Sequence, residues 1–231
     1  MSGTPGRANG AKHDPFEALR QPAFVIYTFS RVFSSVGNAA LQAILLWHVY
    51  ELTDSELSLG VLGLVRFVPA LGVSLIGGNV ADAYNRRTVI NIAQTVPLTC
   101  GIVLAVSTLN GWVTVDLIYG LVLVIGLASS FENPARQALL PAIVRPETFA
   151  NAVTVSSTLQ SLGMVTGGLI GGILAGVYIG GAYVLYTVII AGAFVSMAML
   201  PYHHVAGENQ RGLSVAAIKE GVHYVWTHQV I

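Results

Sequence analysis

Long apolar runs alternate along the chain with short polar turns. Six runs reach the roughly 20 mainly apolar residues that a helix needs to cross the hydrocarbon core of a bilayer: residues 23–50, 57–81, 88–109, 113–132, 150–178 and 182–201. Their length and their lack of period-two alternation predict spanning helices rather than barrel strands. Leu57 and Ser58 open the second run, and Gly180 and Gly181 break the fifth from the sixth. The chain therefore divides into a polar segment, 1–21, a six-helix transmembrane bundle, 22–203, and a polar tail, 204–231. Within the tail, LSVAAIKEGVHYVW has helical spacing, with Leu213, Ala217 and Val222 among its apolar positions. It would lie along the membrane surface or against the bundle.

Composition strengthens this reading. Hydrophobic residues make up 54% of the 231 residues, charged residues only 10%, and mean hydropathy is +0.68; soluble domains are nearer a quarter charged. Such a chain lacks the polar surface to cover a soluble fold, and lipid is its expected surrounding. Residues 1–21 are polar and the run after them is too long for a signal-peptide core, so it reads as a retained first span. The formal net charge is zero, which gives no field to recruit nucleic acid. The single cysteine, Cys100, excludes an internal disulfide and a multi-cysteine metal site. No Ser/His/Asp arrangement, metal-spaced histidine cluster or phosphate loop is present, so neither enzyme chemistry, a cofactor nor a metal is expected. The adjacent His203 and His204 would diverge by about 100° on a helix.

Charge then sets direction. Arg7, Lys12 and Arg20 precede the first span, Arg86 and Arg87 lie between the second and third, Arg136 and Arg145 between the fourth and fifth, and Arg211 and Lys219 follow the sixth. The opposite turns hold Glu51, Asp54 and Glu56 and no base. By the positive-inside rule both termini are cytoplasmic, and a missed or extra span would scramble the segregation.

Polar residues inside the spans are the candidate working parts. Arg31, Ser35, Asn38 and Gln42 recur at spacings of four, three and four residues, one stripe along the first helix that should face a cavity or the bundle interior. Arg31 either lines that cavity or snorkels to the interface. Arg66, in GLVRFVPALG, has the same two readings, and Pro69 after it would loosen and bend the helix. Asp116 begins the fourth span and Glu132 closes it; an acid carries a proton readily when desolvation penalises its charge, and is otherwise a wet span end. His48, near the outer end of span one, points away from the stripe and reads as an interfacial residue beside Trp47, with proton carriage as its second reading. Span five contains GMVTGGLIGGILAG, in which Gly163, Gly167 and Gly171 form one four-residue ladder and Gly168, Gly172 and Gly176 another. Both predict close helix packing, since small residues let backbones approach.

The turn GGNVADAYNRR concentrates charge where the rest of the chain has almost none. Gly78, Val80-Ala81-Asp82 and Arg86-Arg87 match the loop motif of the major facilitator superfamily, with Ala83 in place of a usual base and Asn85 in place of glycine. FSSVGNAALQAILLWHVYELTDSELSLGVLGLVRFVPALGVSLIGG resembles the first two spans of the superfamily branch that contains enterobactin exporters and macrolide efflux proteins. FENPARQALLPAIV and NAVTVSSTLQSLG are similar to its connection between spans four and five. The resemblance covers about residues 20–228. It implies an all-α integral membrane fold, the six-helix N-terminal half of a transporter, whose tail runs into a second half carrying part of the substrate site; a natural half-transporter that dimerises is the alternative. It implies that Gly78, Asp82, Arg86 and Arg87 hold a cytoplasmic gate. Span five resembles the glycine-rich antiporter motif, with Gly168 replacing its proline. The implied activity is alternating-access efflux of a small amphipathic compound, drug-like or siderophore-like, in exchange for protons, from a bacterial inner membrane. A facilitator or importer, and a non-transporting assembly or sensory module, are the alternatives.

Overall fold

The computed structural model describes residues 17–83 and 85–201, with the side chains of Glu17 and residues 70–83 outside the described set. Six long helices follow one another: α1 (Pro22–Thr53), α2 (Glu56–Ala83), α3 (Arg86–Leu109), α4 (Val115–Ile143), α5 (Phe149–Val177) and α6 (Ile179–Ala198). Short 3-10 turns at Glu17–Arg20 and Pro146–Thr148 precede α1 and α5. Among the described residues, α1, α3, α4, α5 and α6 are long and apolar enough to cross a membrane. The 204–231 tail and the His203–His204 pair lie outside the described residues, as do Arg7 and Lys12.

Local chemistry sets the helix ends. Asp54 takes the left-handed conformation (φ 46°) that ends α1, and its N–H reaches Tyr50 O at 2.8 Å; Asp is one of the few residues that tolerates this geometry. Asn85 caps α3 by accepting from the Arg87 N–H at 3.1 Å. Thr114 caps α4 by accepting from the Leu117 N–H at 3.3 Å. Both satisfy donors that a helix start leaves unpaired.

Two expected boundaries change. The break between α5 and α6 is the single extended residue Tyr178 (φ −157°, ψ 95°), and Gly180 and Gly181 lie inside the first turn of α6. Their missing side chains make room there: a Cβ on Gly180 would lie 2.7 Å from Leu109 Cδ2, and one on Gly181 2.6 Å from Tyr178 Cδ1. Helix α4 does not end at Glu132 but continues to Ile143 through Pro134 and Pro141. Arg136, read from sequence as a loop base, is therefore a helical and buried residue.

Helix contacts repeat with an internal symmetry. The principal partners of α1 are α5 and α6; those of α4 are α2 and α3; and α3 packs on α6. Exchanging α1 with α4, α2 with α5 and α3 with α6 maps these contacts onto one another, the relation expected of two inverted three-helix repeats. Small residues make the equivalent seams. Along α1–α5, a Cβ on Gly171 would lie 2.6 Å from Ala40 Cα, and one on Gly167 would collide with the Val36 carbonyl. Along α4–α2, a Cβ on Gly126 would lie 2.8 Å from Pro69 Cγ.

The outer surface is apolar: Leu57, Val177, Val165 and Ile92 are all more than 60% exposed. Contiguous apolar exposure on this scale marks a lipid-facing surface. Inside lie two apolar clusters. One gathers Leu41, Ile44, Leu104, Ile118, Tyr183 and Tyr186, and the other, nearer Arg20, gathers Phe24, Tyr27, Ile90, Leu139 and Met197. Cys100 is buried in the first, as packing. Between the clusters the helices present Ser30, Ser34, Gln94, Glu132 and Arg136, all buried.

Candidate functional site

The polar layer is organised by α4. Glu132 and Arg136, one turn apart, form an ion pair with Arg136 Nε 2.8 Å from Glu132 Oε1, and the two residues are 8% and 4% exposed. Arg136 Nη2 also donates to Ser34 Oγ (2.9 Å) and Ser30 Oγ (3.2 Å) on α1. From α3, Gln94 Nε2 donates to Ser34 Oγ (3.1 Å) and Glu132 Oε1 (3.2 Å). Ser30 Oγ in turn donates a hydrogen bond to the Ala193 carbonyl of α6 at 2.9 Å. One acid–base pair thus links four helices. The network is incompletely satisfied: Arg136 Nη1 and Gln94 Oε1 are buried with no hydrogen bond among the described residues. Apolar side chains of similar volume would stabilise the bundle as well or better, so stability alone does not account for this arrangement.

A second arginine stands beside the first. Arg31 donates from Nε (2.9 Å) and Nη2 (2.5 Å) to Gln160 Oε1 on α5, and from Nη1 to Tyr27 OH at 3.2 Å. Ser35 holds the Gln160 backbone carbonyl at 2.8 Å, and Tyr27 OH donates to the Arg136 carbonyl at 3.1 Å. Arg31 is thus fixed by neutral partners. The third arginine, Arg66, has no hydrogen bond or ion pair among the described residues. It sits ten residues into α2, about 15 Å from that helix end at the usual rise.

These groups border two adjoining cavities. The larger, about 430 Å³, lies between α1, α2 and α4, with Leu41, Leu45, Val122 and Ile125 on its apolar side and Asn38, Arg66, Asn133 and Gln137 on its polar side. The smaller, about 250 Å³, reaches Arg31, Ser35, Glu132, Arg136 and Gln160. Asn38, Arg66, Ser129 and Asn133 line both, so the two share a wall. A compartment of this size, part apolar and part polar, suits a small-molecule ligand.

The residues singled out from sequence distribute as follows. Arg31, Ser35, Asn38 and Arg66 border these cavities. Gln42, one turn beyond Asn38, is exposed and outside both linings. Glu132 is an interior residue rather than a span end, and Asp116 is exposed in the first turn of α4. His48 is buried inside the bundle, 3% exposed, with Nδ1 2.9 Å from Tyr183 OH on α6. Beside it Trp47 is exposed. Gly163, Gly167 and Gly171 are buried against α1. A Cβ on Gly168 would meet nothing within 4 Å, and those on Gly172 and Gly176 would make only ordinary contacts at 3.9 and 3.8 Å.

At the basic end, Arg86 Nη1 donates to the Ala138 carbonyl of α4 at 2.8 Å, and Arg87 Nη2 donates to the Ala198 carbonyl that ends α6. Cations suit the carbonyl-rich ends of helices. Gly78 and Asp82 lie on α2 among the side chains outside the described set. Gln94, Gln160, Asn133 and the inward role of Arg136 went unread in the sequence. A signal for the last existed, since Glu132 and Arg136 have the i,i+4 spacing of opposite charges on one helix face.

Comparison with known proteins agrees with this geometry. A family model described as transmembrane secretion effector matches residues 13–230. The chain is 29% identical over 152 residues to the staphyloferrin A transporter of Staphylococcus aureus, an alignment covering 62% of this chain and 38% of that protein. It is 22% identical over 171 residues to macrolide efflux protein A of Streptococcus pyogenes, covering 73% of this chain and 42% of the relative. It is 28% identical over 176 residues to an MFS-type transporter of Bacillus subtilis, YkuC, covering 74% and 40%. The chain thus spans about two fifths of the length of the curated relatives it matches. With the family model matching nearly the whole of the chain, and with lipid-facing helices around a polar interior, this multi-pass membrane chain belongs to the transmembrane secretion effector family of the major facilitator superfamily.

Proposed function

We propose that the chain forms one six-helix half of a secondary transporter working by alternating access, exporting a small amphipathic compound in exchange for protons. The observation that carries this reading is the pair of adjoining, partly polar cavities bordered by Asn38, Arg66 and the Glu132–Arg136 pair inside an otherwise apolar bundle. A second six-helix half would close its open side, in keeping with the two-fifths coverage of the relatives. Glu132 is the proposed proton carrier. It is buried and its charge is balanced by one base, so protonation would release Arg136 and loosen the contact among four helices. Arg86 and Arg87, with Asp82 and Gly78, would hold the end where α3, α4 and α6 meet, making and breaking those contacts as the halves rock. Both termini would face the cytoplasm of a bacterial cell. The names of two relatives, a staphyloferrin A transporter and a macrolide efflux protein, support export of a drug-like or siderophore-like compound.

Inside-out vesicles containing the full-length gene product, with an acidic lumen, test this. A panel of amphipathic dyes and drugs should include members that accumulate, and accumulation should collapse when the proton gradient is dissipated. Glu132→Gln should abolish the gradient dependence. Accumulation only in right-side-out vesicles would identify an importer, and none in either orientation would point to a non-transporting module.

A further inference from the structure

We propose that the substrate taken by this cavity is an anionic amphiphile, one carrying a carboxylate, phosphate or sulfonate, with Arg66 and Arg31 as its counter-charges. The inference rests on the cavity being the substrate site and adds the sign of the substrate's charge. Among the described residues, the charged groups lining the two adjoining cavities are Arg31, Arg66, Arg136 and Glu132. Glu132 is committed to Arg136 at 2.8 Å, which leaves two guanidiniums without a carboxylate.

Their settings differ in a useful way. Arg31 is held by Gln160 and Tyr27, neutral groups that fix its plane without cancelling its charge. Arg66 is held by nothing described and lies at mid-helix, where neither end of α2 is within easy reach for its side chain. The only acid among residues 70–83 is Asp82, sixteen residues along the same helix and so about 24 Å away. A guanidinium at such depth without a counter-ion is costly, and an oxyanion presents the paired acceptors that its fork of donors matches. The apolar wall of Leu41, Leu45, Val122 and Ile125 would take the rest of the molecule. A cationic compound in the same space would add to an existing excess of positive charge.

The test uses two dyes on one xanthene scaffold, carboxyfluorescein as anion and tetramethylrhodamine ethyl ester as cation, with fluorescence anisotropy against the full-length gene product in nanodiscs. Carboxyfluorescein should bind about tenfold more tightly than the cation, the scale of one close charge pair in a partly solvated site. Arg66→Gln should weaken it by about the same factor, and Arg66→Lys, which keeps the charge but loses the paired donors, should weaken it less. Asn38→Asp, which adds a carboxylate to the lining, should shift the preference toward the cation. Equal or tighter binding of the rhodamine, no effect of Arg66→Gln on a protein with unchanged thermal unfolding, or no binding of either dye would overturn the proposal. Failure here is separable from failure of the transport reading. A rhodamine pumped while carboxyfluorescein is ignored leaves transport standing and removes the anion site. Arg66-dependent carboxyfluorescein binding without accumulation in any vesicle does the reverse.

Discussion

The two glycine ladders of α5 predict opposite responses to the same small change. At Gly171 an added methyl would lie 2.6 Å from Ala40 Cα and O on α1, where carbon contacts ordinarily sit at about 3.5–4.0 Å. The neighbour is backbone, which cannot rotate aside, so the helices must part locally by about 1 Å. Overpacking of this kind costs about 1–3 kcal/mol, against a helix-propensity gain of about 0.8–1.0 kcal/mol for replacing Gly by Ala. A net loss of about 0–2 kcal/mol is expected for Gly171→Ala from these opposing contributions. At Gly168 nothing lies within 4 Å, and Gly168→Ala should keep only the gain. The propensity gain is common to both, so the variants should differ by the overpacking cost of about 1–3 kcal/mol, roughly five- to a hundredfold in the unfolding equilibrium. Titration with a denaturing detergent in mixed micelles, followed by tryptophan fluorescence, measures this difference. Indistinguishable midpoints, or greater loss at Gly168, would refute the assignment of the Gly163–Gly167–Gly171 face to the α1 seam.

Three further outcomes follow from the polar contacts. Glu132→Gln leaves the buried Arg136 charge without its counter-ion and should destabilise the bundle by about 3 kcal/mol, the lower end for breaking a buried pair; in the same titration, adding Arg136→Met should recover most of that loss. His48→Phe removes the acceptor or donor facing the fully buried Tyr183 hydroxyl and should cost about 1–3 kcal/mol, with transport in vesicles retained, which separates a packing histidine from a proton carrier. Arg87→Met should loosen the α3–α6 contact at Ala198 and raise the rate at which a water-soluble thiol reagent, added on the basic side, labels a cysteine at Gln137.

Much of the architecture was legible because lipid imposes simple requirements. Apolar runs long enough to span gave the six helices, and the four-residue glycine spacing marked α5 as a packing helix. The stripe Arg31–Ser35–Asn38 was legible for the same reason, since helical periodicity alone places those residues on one face. What escaped depended on partners that one helix cannot announce. Glu132, Arg136 and two prolines look like a span ending, yet the pair is met by hydrogen bonds from Ser30, Ser34 and Gln94 on other helices, and α4 continues to Ile143. His48 was correctly placed away from the stripe, but that face meets Tyr183 of α6 rather than the bilayer interface. The two glycine ladders are equivalent in sequence, and only the position of α1 distinguishes them.

The central claim is that the space beside Asn38 is an aqueous conduit opened in turn to each side of the membrane. A single cysteine at Asn38, in a Cys100→Ala background, tests it with a membrane-impermeant thiol reagent applied separately to sealed vesicles of each orientation. The account predicts labelling from both sides, with a transported compound or a proton gradient raising one rate while lowering the other. Protection from both sides under every condition would contradict it.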